Sequence, residues 1–269
     1  LQTNVADWYG VTVDNQRVVG LDLSHNNVMG ELTSSINDLD NLQNLNLTNN
    51  NLTSLPEIKQ LHQLQYLNVS GNHLSFRDII KNISHIPHDC SFIYGSQDYI
   101  PAESYYCRKT GSPVALHNLV DYQVYDGDQF QWIKNGEDIP KATAFNYSYM
   151  PGNRQVDFNT FSLRITNSLA PGLTLYSKKI QVQDYRPVEK VLQDVNFCNN
   201  EITIQADTNI QGGIGRWSVY HGWGNLSSYT KPKIHITNLQ EGTNIFSWNV
   251  YYGFCLGGTD NITIQSASP

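Results

Sequence analysis

"LQNLNLTNNNLTSLP", residues Leu42 to Pro56, is built largely of leucine and asparagine, and the spacing of those two residue types decides the fold. Two other segments align with it on their leucines. Val18, Leu21, Leu23, Asn26 and Val28 come before it; Leu42, Leu45, Leu47, Asn50 and Leu52 lie within it; Leu64, Leu67, Val69, Asn72 and Leu74 follow. All three fit L-x-x-L-x-L-x-x-N-x-L. The interval is 24 residues from Leu21 to Leu45 and 22 from Leu45 to Leu67. A chain merely rich in leucine and asparagine would not keep five positions in step over three units, so the pattern is an internal repeat.

Each L-x-L core is a short strand whose inward side chains stack on the next repeat. The asparagine ends the strand, where a buried amide must find partners on neighbouring backbone. Asn26, Asn50 and Asn72 are therefore expected to form a structural ladder. Side chains alternate along a strand, which puts Gly20, Asp22, Ser24 and His25, then Asn44, Asn46, Thr48 and Asn49, then Tyr66, Asn68 and Ser70 on the outward, concave face. That face is polar and amide-rich with one aromatic. It suits hydrogen bonding to a peptide or a sugar, and the plain alternative is a merely solvated surface. Tyr66 is the best single anchor, because aromatics are enriched at binding hot spots.

These residues resemble the leucine-rich-repeat family, and the segment before them resembles the plant-type cap of that family. The cap reads C-x-W-x-G-V-x-C, then R-V-x-x-L-D-L-S-x-N-x-L-x-G. Trp8, Gly10 and Val11 match, as do Arg17-Val18, Leu21-Asp22-Leu23-Ser24 and Gly30. Ala6 and Val13 stand where the family usually has cysteines, a departure that fits a bacterial member better than a plant receptor. Asp14-Asn15 reads as a hairpin turn capping the solenoid. After the third repeat, Ser75 and Asp78 approximate a capping box, with Ile79, Ile83 and Ile86 at helical spacing. Cys90 and Cys107 are expected to pair and clip the other end of the solenoid.

From about residue 110 the pattern changes to alternating strands. Trp132 precedes an Asn135-Gly136 turn, Phe161, Leu163 and Ile165 alternate before Asn167, and Pro171-Gly172 turns into "LYSKKIQVQ". This resembles an immunoglobulin-like sandwich, with Phe161 and Leu163 in the places of the usual tyrosine and cysteine. Tyr185-Arg186-Pro187 reads as a linker. Beyond it, Gly213-Ile214-Gly215-Arg216-Trp217, Leu239, Gly242, Asn244, Trp248, Val250, Cys255 and Asp260 resemble the β-sandwich repeats that end many bacterial surface proteins. That resemblance implies a Cys198–Cys255 disulfide. Two domain-local disulfides would imply an oxidising compartment. The expected fold is mainly β with short helices: a leucine-rich-repeat solenoid over 1–109 with caps at both ends, then two immunoglobulin-like β-sandwiches over 110–185 and 186–269.

Composition bounds the function. The 269 residues are 39% hydrophobic and 15% charged, too apolar for a disordered chain. A net charge of −7 with no basic run argues against nucleic acid or an anionic membrane surface. No apolar run approaches the roughly 20 residues of a membrane helix. No signal peptide is visible at Leu1, which suits mature secreted or trimmed material.

The best metal candidate is His85-Ile86-Pro87-His88-Asp89-Cys90, but Pro87 breaks the helix between the histidines and the segment reads as a polar cap loop. No nucleophile elbow, zincin, phosphate-loop or dinucleotide motif occurs. Paired carboxylates distant in the chain stay open to a carbohydrate-processing role. Seven Asn-x-Ser/Thr sequons occur, at Asn46, Asn51, Asn68, Asn82, Asn146, Asn225 and Asn261. About four would arise by chance at this composition, and most read as repeat chemistry. The reading is a monomeric, non-catalytic, adhesin-like binding protein, outside the cell or on its surface, on the outer surface or in the periplasm of a Gram-negative bacterium. It needs no cofactor, and its repeats serve as recognition head for a protein or glycan ligand. The alternatives are a structural spacer of a larger surface protein and a carbohydrate-processing accessory or enzyme.

Overall fold

The leucines of the repeat are spaced to fill one solenoid interior, and they do. Leu42, Leu45, Leu47, Leu52, Leu64, Leu67 and Val69 are 0–1% exposed in the computed structural model. The structure describes residues 4–103, 105–109, 111–116, 122–150, 158–185, 192–197, 199–210 and 212–267. Strands Arg17–Asp22, Asn44–Asn46 and Tyr66–Asn68 pair in parallel, each in register with the next at Leu21, Leu45 and Leu67. Val11–Asp14 folds back antiparallel onto the first of them. The turn between them places Asn15 and Gln16 at φ 47° and 64°, the left-handed pair that a two-residue hairpin demands.

The parallel part of the sheet is one strand longer than the three repeats. Ser91–Ile93 adds in parallel to Tyr66–Asn68. The strand lacks a leucine and follows a helix, so it breaks the repeat pattern that marks the others. That helix, Phe76–Ile83, is the one α-helix among the described residues. Asp78 reaches back to its start: the Ser75 N–H and O–H donate to Oδ2 at 3.1 and 2.7 Å. Its Oδ1 accepts from the Ser54 hydroxyl and the Leu55 N–H in the preceding repeat.

Asn50 and Asn72 lie buried along the solenoid. Asn50 Oδ1 accepts from the N–H of Asn26 and of Val28, both at 3.0 Å, while Nδ2 donates to the carbonyls of Leu23 and Leu47. Asn72 takes the Leu52 N–H and donates to the carbonyls of Leu47 and Val69. Asn26 departs from the expected ladder. It is exposed, because the first repeat has no earlier repeat whose carbonyls its amide could reach. Gln97 takes a corresponding place beyond the third repeat, donating to the carbonyls of Val69 and Tyr94 and accepting from the Leu74 N–H.

The chain divides into two compact units that interleave along the sequence. One comprises Leu1–Ser104, His117–Tyr147 and Phe161–Ile180, the other Tyr105–Leu116, Ser148–Thr160 and Gln181–Pro269. In the first, the solenoid runs on into sandwich strands. Ile100 bridges Ser177, and the Tyr94 hydroxyl donates to the Pro171 carbonyl. Asp128–Lys134 pairs antiparallel with the long strand Phe158–Asn167. Trp132, Phe161, Leu163 and Ile165 are buried at 0–1% exposure. Asn135-Gly136, at φ 51° and 92°, turns Asp128–Lys134 into a short hairpin with Glu137–Asp138.

In the second unit, Gly242–Tyr252 lies between Ile214–His221 and Cys255–Ser266, all antiparallel. Ile202–Gln205, Asn225–Leu226 and Lys233–Thr237 form a separate three-stranded sheet. The spaced glycines and tryptophans of this segment have a packing cause. A side chain at Gly215 would place its Cβ 1.9 Å from the Trp248 ring, and Trp248 packs on Trp217 at 5.1 Å. Asn244 and Asp260 accept backbone N–H groups from Trp223 and Leu192.

The expected disulfides are corrected. Cys107 pairs with Cys255, 148 residues away, and Cys90 is a free thiol. Strand Tyr105–Lys109 pairs with Ile180–Tyr185 in the second unit, which carries Cys107 to Cys255 at a Cα separation of 5.5 Å. The expected Cys198–Cys255 bond is thereby excluded on the Cys255 side; Cys198 itself, like Arg186-Pro187 of the expected linker, lies outside the described residues.

Two measurements test this account of the solenoid. Asn72→Ala leaves the Leu52 N–H and two carbonyls without their partner, and we expect a loss of about 3 kcal/mol in urea unfolding. Asp78 gives a pH signature. Burial pushes its carboxyl up, but hydrogen bonds from Ser75, Ser54 and Leu55 outweigh that and hold it below the usual value. A lowered folded value contributes stability above the unfolded one, about 3.9, that is lost as pH falls through the folded one. The stability gap between the wild type and Asp78→Asn, followed by urea unfolding from pH 6 downward, is expected to shrink over that acid range.

Candidate functional site

The parallel register turns the concave face into rows that cross the strands. One row is Gly20, Asn44, Tyr66 and Ser91; the next is Asp22, Asn46, Asn68 and Ile93. Asp22, His25, Asn44, Ser91 and Ile93 are exposed, and Ser24, Asn46, Thr48, Tyr66, Asn68 and Ser70 are half-buried. The structure thus brings these candidates onto one surface; Gly20, expected there too, is buried, and a Cβ on it would meet the Thr12 side chain at 3.0 Å. Ser91 and Ile93 complete the rows and were missed, since the fourth strand carries no leucine signature.

Within each repeat the polar residues lock one another. Asn46 Oδ1 accepts from the Thr48 N–H at 3.2 Å and its hydroxyl at 2.7 Å. Asn68 Oδ1 accepts from the Ser70 N–H at 3.0 Å and its hydroxyl at 2.7 Å. Asp22 accepts the Ser24 N–H at 2.9 Å. Hydrogen bonds from the Ser24 hydroxyl and N–H hold the Asp22 carboxyl below its ordinary value. The same side chain-to-backbone turn recurs three times, so N-L-T and N-V-S are repeat chemistry that also spells a sequon. Asn82 carries a third sequon on a fully buried amide, which accepts from Ile58 and donates to the carbonyls of Pro56 and Asp78. Asn51, Asn146, Asn225 and Asn261 are exposed.

The position after each turn is left-handed: His25, Asn49 and Gly71 have φ of 57°, 55° and 66°. Asn49 is there for its backbone, since asparagine tolerates that conformation. Its Nδ2 lies 3.2 Å from His25 Nε2. Other outward groups are also partly spent. Asn46 Nδ2 donates across to Asp22 Oδ2, and Asn68 Nδ2 donates to the Tyr66 oxygen, at 3.2 and 3.0 Å. Asn44, Ser91 and Ile93 are exposed without a role in these turns, and Asp22, His25 and the half-buried Tyr66 share the outward surface with them.

The histidine-rich loop gathers no metal site. His85 Nε2 is 4.0 Å from Glu57, and burial, aided by Asp89, pushes the Cys90 thiol up, away from the thiolate that binds metal. Among the described residues no group of three or more His, Cys, Asp or Glu side chains gathers to hold an ion. A cleft of about 520 Å³ touches none of the concave candidates; Glu31, His73, Arg77, Asp98, Tyr99 and Tyr122 are among its lining residues. Within it His73 faces Asp98 at 3.6 Å, and Arg77 donates to Gln123 at 3.0 Å.

Residues 16–74 and 63–86 match the leucine-rich-repeat family. This part of the chain is a leucine-rich-repeat solenoid. No curated protein matches the chain by sequence. Among solved structures, Listeria monocytogenes InlP is similar at 14% identity and a TM-score of 0.34, over 61% of this chain and 52% of that one. Fibronectin(III)-like modules of Clostridium thermocellum CbhA are similar at 15% and 0.32, over 64% and 93%. Immunoglobulin domains 1–4 of Sidekick-1 are similar at 12% and 0.30, over 61% of this chain and 45% of that one, so the match spans less than half of that relative. These likenesses are too distant to carry a functional argument.

The locked turns make a stability prediction. Thr48→Ala and Ser70→Ala each remove a hydroxyl donated to an asparagine, and each is expected to cost about 1 kcal/mol in urea unfolding. Because the cause is a hydrogen bond, the loss is expected to be the same in protein from a host that does not glycosylate.

Proposed function

We propose that the chain is a non-catalytic binding module of a secreted or cell-surface protein, with the concave face of the repeats as its recognition surface. On this reading the leucine-rich repeats are the recognition part of the chain, and the strands after them support it. The observation that carries it is the pair of rows Gly20-Asn44-Tyr66-Ser91 and Asp22-Asn46-Asn68-Ile93, running unbroken over four parallel strands. Side chains already held by Asx-type turns lose little freedom on binding, which favours affinity. Tyr66 offers an aromatic ring and an unspent hydroxyl proton beside the exposed amide of Asn44. Such a surface suits a protein segment or a glycan rich in hydrogen-bonding groups.

An extracellular or surface setting is supported by the disulfide. No described helix is long and apolar enough to cross a membrane.

The test is an array of glycans and extracellular-matrix proteins, probed with the intact chain and with the double variant Tyr66→Ala, Asn44→Ala. Both side chains lie outside the buried ladder, so the variant is expected to keep the wild-type unfolding midpoint within experimental error. Specific binding that falls at least about tenfold in the variant supports the concave face. Binding that the variant leaves unchanged places the site elsewhere.

A further inference from the structure

Strand Tyr105–Lys109 is weakly held for a strand with a covalent link. It pairs in parallel with Ile180–Tyr185 over five residues, Gln181 opposite Tyr105 through to Tyr185 opposite Lys109. Four of its five residues are exposed, with Tyr106 half-buried. None of them is among the fully buried hydrophobic residues of the sheet it joins, which include Ile180 and Val182 on the neighbouring strand. Little apolar burial therefore retains it, and such elements lie at the low end of local stability.

Two contacts join it to the hairpin after Tyr252. One is the Cys107–Cys255 bond. The other is the Tyr105 ring packed edge-on against Phe254, 4.5 Å between centroids, both rings substantially exposed. The two ends of the disulfide differ: Cys107 is exposed, whereas Cys255 is 1% exposed.

We propose that Cys107–Cys255 is a reducible clasp. Its reduction by a dithiol frees the strand Tyr105–Lys109 from Ile180–Tyr185 while the core of the unit stays folded. A thiolate of the reductant attacks the accessible Cys107 sulfur. The sulfur–sulfur bond breaks, and the Cys255 sulfur leaves as thiolate and takes up a proton. The second thiol of the reductant then resolves the mixed disulfide, releasing Cys107 as a thiol and leaving the reductant as a cyclic disulfide. Two electrons and two protons pass to the protein. Release uncovers the backbone edge of Gln181–Tyr185, a row of donors and acceptors that an added strand can pair with.

Hydrogen exchange with mass detection on the full chain, oxidised and after millimolar dithiothreitol without denaturant, tests this. Reduction is verified by the gain of two hydrogens. Amides of 105–109 and 181–185 are expected to exchange at least about tenfold faster, with 214–221 and 242–252 unchanged. Cys107→Ser is expected to give the same pattern without reductant. A bond that resists dithiol under native conditions overturns the proposal, as does unchanged protection once it is reduced. Loss of protection spreading over 214–252 also overturns it, since the bond would then hold the whole unit together.

Discussion

The solenoid depends on what happens to backbone groups where each strand ends. A short strand followed by a turn leaves N–H and C=O groups pointing into the next repeat, and buried groups of that kind must be paired. Asn50 and Asn72 do the pairing, each with one side-chain oxygen and one amide nitrogen spread over carbonyls and N–H groups of two repeats. A leucine core without these amides would fill the interior and still leave the turns unsatisfied. Asn82 and Asp78 do similar work further round the coil, bonding to Ile58 and to Leu55. The repeats are thus bound by polar cross-links as well as by stacked leucines.

The same economy shapes the concave face. Its asparagines face outward, yet their oxygens are spent on the hydroxyl and N–H two residues on. A surface that looks like a dense field of free amides is in fact largely self-satisfied, its asparagine oxygens already holding the turn that follows. That distinction separates residues that hold the turns from those whose side chains stay free at the surface. It also accounts for sequons at Asn46 and Asn68 without invoking sugars.

The repeat period, a hairpin read at Asp14-Asn15 and found one residue on, at Asn15-Gln16, the Asn135-Gly136 turn and the alternation through Phe161, Leu163 and Ile165 were legible because each is a local rule: a few neighbouring residues carry the whole signal. Trp248 with Gly215 was legible as a motif, though its cause, an indole seated on bare backbone, appears only in the packing. The strand Ser91–Ile93 and the amide Gln97 were not legible. Neither uses the residue type of the repeat, and they are recognisable only by the neighbours they pair with.

By itself, the sequence determined that this chain builds leucine-rich repeats followed by β-strands, and which faces of those strands turn inward, because periodicity and turn chemistry act over a few residues. Only the tertiary structure decided the cysteine pairing and the reach of the concave rows. Cys107 meets Cys255 across 148 residues because its strand joins Ile180–Tyr185, and no spacing rule encodes a contact between strands so far apart in the chain. Asn26 makes the same point at short range. It carries the repeat's letter, but with no earlier repeat beside it the buried role falls away and the side chain faces water.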